Sequence, residues 1–311
     1  MALDRIEAMR AFCRIVEFGS FVRAADSLNI ANTTISGQIQ ALERLLAVKL
    51  LHRSTRKVYP TNEGLAYYQR ARKAVDDIDD LEASISMSRS VVRGRVVVEM
   101  PSPVGINLVI PALRDFTDKY PEIHLDIGCS ERVVGLMQEG VDCAIRGGEV
   151  ADQDLIARSV GQMHFCLCAS PAYLSAHSLI TDPSQLATHR HLGFQFPGTG
   201  KRFVASLHKN RENHLIDYPP HIFFNNGSAV TAGAVAGLGI AALPRAEVQH
   251  LLAGDVLVEI LPHWNMASMP MSVVYPQTHQ LSTRVQVFVK WIAKLFESDP
   301  AWSSHKRPVS A

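Results

Sequence analysis

The sequence predicts an α/β protein in three successive parts: a small, mainly helical unit, one long connecting helix, and a pair of α/β lobes. Three observations carry that expectation. Three short helical patterns, each with its own start or stop residue, fit before residue 47. From Leu65 to Ser90 apolar residues recur at helical spacing with no proline or glycine. Beyond Gly94, β-branched runs alternate with amphipathic ones, the pattern of doubly wound sheets. The bulk numbers agree: 311 residues with 47% hydrophobic and 20% charged content suffice for two or three cored domains and exclude disordered and fibrous classes.

In the first part, Ile6, Met9, Phe12, Cys13 and Val16 fall on one helical face, and Gly19 stands where that helix needs its stop. Ser20 can cap a two-turn helix over Phe21 to Leu28, closed by Asn29. A third helix from Asn32 or Thr33 through Leu46 buries Ile35, Ile39, Leu42 and Leu46, with Thr34, Ser36, Gln38 and Gln40 on its other face. Two helices joined by a short turn, the second polar outside, make a helix-turn-helix suited to the major groove, where Thr, Ser and Gln reach base edges. Leu50-Leu51 followed by Arg53-Ser54-Thr55-Arg56-Lys57-Val58-Tyr59 predicts a basic hairpin, a wing along phosphates.

The net charge of +1 conceals an asymmetry: between Arg44 and Lys73 lie Arg44, Lys49, Arg53, Arg56, Lys57, Arg70, Arg72 and Lys73 against the single acid Glu63. Such a patch fits nucleic acid or a plain solvated face. Thr61 can cap the long helix, with Glu63 near its start. Leu65, Tyr68, Ala71, Val75, Ile78, Leu81 and Ile85 then form a stripe that serves either a partner helix or packing within the same unit. Dimerisation is the expected use, because it gives two recognition helices the symmetry of paired half-sites.

After Arg93-Gly94-Arg95 the chain reads as strand Val96–Val98, an amphipathic stretch Val104–Tyr120 that Pro111 can kink, strand Ile123–Gly128, helix Val133–Glu139, and strands Cys143–Ile145 and His164–Cys168. A second unit has strands His191–Phe196 and His221–Asn225, helix Ser228–Ala236 and strand Ile240–Leu243. Strand Met271–Tyr275 and helix Thr283–Phe296 lack a partner there and should return to the first unit. Two lobes joined by two crossings leave a cleft, the usual ligand place in such sheets. The expected limits are 1–61 for the helical unit, 62–90 for the linker and 94–300 for the lobes. Lobe I covers about 94–167 and 268–300, lobe II about 168–267, and 301–311 forms a flexible tail. The opening MALDRIEAMRAFCRIVEF lacks an export signal's apolar core, and no eighteen-residue apolar run occurs, so a cytosolic protein without membrane contact is expected.

Phe12 through Val16, Gly19-Ser20-Phe21, Ala24-Ala25, Leu28, Ile35-Ser36, Gln38-Ile39, Leu42-Glu43, Leu50-Leu51 and Arg53 to Arg56 closely resemble the pattern of the LysR family of bacterial transcription regulators. The likeness continues through Thr61 and Glu63-Gly64. It extends to Gly140, Asp142 and Ile145-Arg146, to Ala169-Ser170-Pro171, and to Gly237-Leu238-Gly239-Ile240 with Pro244. It implies a winged helix-turn-helix, a linker that dimerises, and a periplasmic-binding-protein-like effector domain. The implied partners are promoter DNA, a small-molecule effector, RNA polymerase and further copies of the chain, as a dimer or tetramer. Effector binding would close the lobes and shift the DNA-binding pairs, changing DNA bending. The DNA contacts carried over are Ser20, Thr33, Thr34, Ser36, Gln38, Arg53, Arg56 and Lys57. Three positions depart from the pattern: Ala31 for the usual Ser cap, Gly37 for a basic or polar residue, and Ala47 for Gly.

For the effector the resemblance points to Ser102, Val104, Ser130 and Arg146 in the first lobe and Phe203 and Asn226 in the second. Ser102 stands between two prolines before a helix, where it is either an anion site or a plain cap. Arg146 is either a ligand contact or a salt-bridge residue; with a helix N-terminus it would suit a carboxylate. The five cysteines, Cys13, Cys129, Cys143, Cys166 and Cys168, read as buried thiols. A redox sensor of the same fold using Cys129 or another cysteine is the alternative. No metal or cofactor is expected. An enzyme reading fails on context: Gly237, Gly239 and Ala242 follow a helix rather than a strand, and G-x-S-x-G and H-E-x-x-H are absent. An exported solute-binding protein would leave the helix-turn-helix unexplained, and an architectural DNA binder would leave the two lobes unexplained.

Overall fold

The computed structural model describes residues 4–53, 58–85, 91–277 and 281–303, which divide into two compact units at Gly94/Arg95. In the first, α1 (Arg5–Phe18) begins where the Asp4 carboxylate accepts the Ile6 and Glu7 N–H groups, and it ends on Gly19 in the left-handed region, φ 60°. Ser20 caps α2 (Phe21–Ser27) by accepting the Arg23 N–H. Helix α3 (Asn32–Leu46) puts Ile35, Ile39 and Leu42 against Ala8, Ala11, Phe12 and Ile15 of α1 and Ala24 and Ala25 of α2. The alanines let the helices approach, and each large apolar side chain buried here contributes about 1.5–3 kcal/mol.

Strands β1 (Leu51–Arg53) and β2 (Val58–Pro60) pair antiparallel, His52 opposite Tyr59. Their base is fixed by Glu43, buried at the end of α3: it accepts the Leu50 and Leu51 N–H groups at 3.0 and 3.3 Å and the Lys49 ammonium at 2.7 Å. Burial pushes the Glu43 pKa up, but those three donors outweigh it and leave the carboxyl below its ordinary value. Helix α4 (Asn62–Ile85) starts where Thr61 Oγ1 donates to the Lys49 carbonyl and accepts the Gly64 N–H. Gly64 is required there, because a Cβ would overlap the Leu50 carbonyl.

Part of the stripe expected to meet a partner is used inside the unit. Ala71 and Val75 are buried, Tyr68 packs on the core and donates to Glu17, and Tyr67 meets Phe12 edge-on at 5.5 Å. Ion pairs Arg72–Glu17 and Arg10–Asp79 tie α4 to α1. Ile78 is half-buried, whereas Leu65 and Leu81 are exposed. The Ile85 side chain lies outside the described residues. A three-and-four spacing specifies an apolar face but not which helix covers it.

The second unit holds two five-stranded sheets. The first lobe's sheet has the order β4-β3-β5-β15-β6, from β3 (Gly94–Met100), β4 (Ile123–Cys129), β5 (Cys143–Gly147), β6 (Leu155–Met163) and β15 (Met269–Pro276). The second lobe's has the order β11-β8-β12-β7-β13, from β7 (Phe165–Ala169), β8 (His191–Phe194), β11 (Ile222–Phe224), β12 (Ile240–Pro244) and β13 (Val258–Glu259). A small sheet of β9 (Ala205–Lys209), β10 (Glu212–Ile216) and β14 (Asn265–Met266) adjoins it. Strand β15 returns to the first lobe between β5 and β6, and α11 (Thr283–Ser298) packs against β6, as expected from their lack of a local partner. The strand predicted over His164–Cys168 belongs to the second lobe, so the first crossing falls at His164, ahead of the expected limit at 167.

The stretch predicted as one kinked helix is three pieces: α5 (Ser102–Val104), a π-turn (Gly105–Val109) and α6 (Ile110–Lys119). Pro111 explains the widening. It has no N–H to donate, and its ring would press on the carbonyl four residues back, so the preceding turn opens. Short helix α7 (Leu136–Glu139) replaces the longer helix expected from Val133. Helices α8 (Pro171–Ser175), α9 (Gly227–Val235) and α10 (Arg245–Ala253) belong to the second lobe. No described helix is long and apolar enough to cross a membrane.

Candidate nucleic-acid interface and ligand cleft

With Ile35, Ile39 and Leu42 in the core, the 100° step of the helix places Thr33, Gly37, Gln40 and Arg44 along the opposite line of α3, and all four are exposed. Thr34 is exposed as well. Ser36 and Gln38 are half-buried on the flanks, and Gln38 Oε1 is turned inward, without a hydrogen-bond partner among the described residues. The sequence-based set therefore holds two outward residues and two flanking ones; it omits Gln40 and Arg44, which the period of 3.6 counted from Thr33 would have found. Ser20 spends its oxygen on the α2 cap. Of the wing residues, Arg56 and Lys57 lie outside the described residues, as does the side chain of Arg53. The basic patch is smaller than the sequence count, since Lys49 is paired to Glu43 and Arg72 to Glu17 and Asp76.

Between the sheets of the second unit lies a cavity of about 280 Å³. Phe165, Phe194, Phe196 and Phe203 line it from the second lobe, and Met100, Val134 and Ile145 from the first. Phe165 packs on Phe203 at 4.8 Å and Phe194 on Phe196 at 5.0 Å between ring centroids, so the chamber offers ring faces and edges. Of the expected ligand residues, Ser130, Arg146 and Phe203 line it. Val104 does not: it is fully buried on the core side of α5. Ser102 is also buried behind the lining, its hydroxyl donating to the Cys129 carbonyl and accepting from Asn226 Nδ2, each at 3.4 Å. Asn226 caps α9. Both lie behind the wall because the turn after Pro101 directs Ser102 and Val104 inward and leaves Pro101 and Pro103 at the surface of the cavity.

Arg146 donates to the Val134 carbonyl at 2.6 Å, and burial lowers its pKa against the opposing field of Asp152. Arg132, also in the lining, pairs with Glu139, which lies outside it. Glu99, beside Gly128, has its pKa raised by burial first. The thiols run against a redox centre: burial raises Cys129, and Glu99 and Glu131 raise it further, while Cys13 is pushed up to about 12. A reactive thiolate needs the opposite shift. Cys166 and Cys168, 3.5 Å apart between sulfurs, are both buried. No group of three metal-ligating side chains occurs among the described residues.

Residues 6–65 match the family model described as "Bacterial regulatory helix-turn-helix protein, lysR family", and residues 89–297 match the LysR substrate binding domain. The chain belongs to the LysR family of transcription regulators. This LysR-type regulator is 32% identical over 299 residues to an HTH-type transcriptional repressor of Pseudomonas aeruginosa (strain UCBPP-PA14), covering 96% of this chain and 94% of the relative. It is 32% identical to the HTH-type transcriptional regulator YhjC of Escherichia coli (strain K12), covering 94% and 97%. The solved structure of CrgA, a LysR-type transcriptional regulator from Neisseria meningitidis, matches with TM-score 0.59 and 29% identity over 93% of this chain and 97% of that one. A helix-turn-helix unit joined to an effector-binding unit is thus the architecture of a regulator family, not of enzymes.

Proposed function

We propose that this LysR-type regulator binds promoter DNA in a sequence-specific way through the outer line of α3, with its wing on phosphates, and that a small molecule in the cleft modulates that binding. The observation that supports it most is the division of α3: an apolar line locked into the three-helix core and an opposite line of Thr33, Gly37, Gln40 and Arg44 facing solvent. Thr and Gln can read base edges, and Arg44 can reach either a guanine or a phosphate. The chain acts as a homo-oligomer in the cytoplasm, a dimer or a tetramer, since a two-fold pair of α3 helices reads paired half-sites. Polymerase access would then depend on how the effector shifts those pairs.

The test is a gel shift of the full chain on the DNA upstream of its own gene at about 0.15 M salt with competitor DNA. Sequence-specific retention is expected, and the double substitution Thr33→Ala with Gln40→Ala should reduce it to nonspecific binding. Weak nonspecific binding by the unmodified chain would overturn the reading.

A further inference from the structure

One carboxylate bridges the two lobes across the cleft. Glu131, in the loop after β4, reaches the head of α9 on the other lobe: its Oε1 accepts the Gly227 N–H at 3.2 Å and its Oε2 accepts Asn226 Nδ2 at 3.1 Å. Asn226 is held in place for this, because its Oδ1 accepts the Ala229 N–H at 3.0 Å as the helix cap. Its Nδ2 also reaches Ser102 Oγ of the first lobe. The surfaces touch beside the contact, since a Cβ on Gly227 would meet Pro103 at 3.2 Å. Glu131, Gly227 and Pro103 all face the cavity.

A carboxylate on the first free N–H of a nine-residue helix, with a second donor on its other oxygen, is a filled anion seat. The protein itself supplies the occupant, 96 residues away in sequence. The chamber beside the seat is walled by phenylalanine rings and thioethers, suited to a flat apolar body. Its remaining lining acids, Glu99, Glu149 and Asp152, outnumber Arg132 and Arg146. A ligand carboxylate added beside Glu131 would meet repulsion, whereas one that replaces it leaves the charge of the lining unchanged.

We propose that Glu131 is a built-in occupant of the effector's anion seat: it latches the lobes together at the head of α9, and an aromatic carboxylate enters by displacing it. This rests on the cleft being the effector site. An internal competitor lowers the apparent affinity of the ligand by the fraction of time the seat is free. A latch closed roughly nine-tenths of the time conceals about a tenfold tighter site.

The experiment compares the full unmodified chain with Glu131→Ala and Glu131→Gln, after thermal melts show that each folds. Without ligand, amide hydrogen exchange at Gly227 should quicken by about tenfold in Glu131→Ala and by less in Glu131→Gln, which keeps one acceptor. In calorimetric titration, benzoate should bind Glu131→Ala about tenfold more tightly than the unmodified chain, and benzamide should show no such gain. Unchanged exchange at Gly227 overturns the latch. Quickened exchange with no gain for benzoate, or an equal gain for benzamide, overturns the carboxylate seat. Failure of the effector reading itself looks different: benzoate binds as described, yet no cleft ligand alters promoter binding.

Discussion

Gly37 occupies the middle of the outward line of α3, and a Cβ built there meets nothing within 4 Å. Replacing it with Ala should therefore add the whole difference in helix propensity, about 1 kcal/mol, with no steric offset. The two ends of α3 are lightly secured. Ala31 at its N-cap makes no side-chain hydrogen bond, and Ala47 at its C-cap is held at φ 54°, in the left-handed region that favours glycine. The gain should thus appear in local opening: amide exchange in α3 should slow by about fivefold, the equivalent of about 1 kcal/mol. The same methyl stands where the proposal puts base pairs. If the bare backbone at Gly37 lets α3 lie close to the groove floor, Gly37→Ala should stabilise the helix and weaken promoter binding together. Exchange that is unchanged or faster would refute the packing argument. Slower exchange with unaltered promoter affinity would refute the placement of this line in the groove.

Acid should loosen the second lobe. Burial lowers the pKa of His189, with the charges of His177 and His191 adding to the effect, and burial likewise lowers His191, whose Nε2 donates to the Leu186 carbonyl at 2.7 Å. A histidine whose folded pKa lies below its unfolded value near 6.5 binds more protons when unfolded. Its contribution is therefore present above about pH 6.5 and lost as pH falls through the folded pKa. Thermal melts should show Tm falling between about pH 7 and 5, and His189→Gln with His191→Gln should flatten that slope; an undiminished slope would remove these two residues as its source. For self-association, Leu81→Lys alters an exposed position of α4, and the oligomer should lose mass by light scattering, while Val75→Lys should unfold the first unit. A Leu81→Lys chain of unchanged mass would move the dimer contact off this part of α4.

The first unit was legible because its determinants are local. Stop and cap residues such as Gly19, Ser20 and Thr61 act within a few positions, and the apolar line of α3 repeats within one helix. Even there the DNA contacts implied by the resemblance omit Gln40 and Arg44, although the helical period counted from Thr33 puts both on the outward line. The α4 stripe shows the limit of periodicity, since the spacing that buries Val75 within its own unit would suit a partner seam equally well. In the cleft, Ser130, Arg146 and Phe203 could be carried over from a family pattern, but Phe165, Phe194 and Phe196 become a wall only after two crossings bring β7 and β8 opposite the first sheet. Ser102, expected as an anion site or a cap, spends its hydroxyl instead on the Cys129 carbonyl and on Asn226 of the other lobe, a pairing that no local pattern signals. Glu131, which bonds the head of α9, carries no signal in the sequence at all. A glutamate in a loop is ordinarily a solvated charge, and this one becomes an anion on a helix head only when the two lobes close on each other. What the sequence conceals is therefore the element that would make ligand binding a competition with the protein's own side chain.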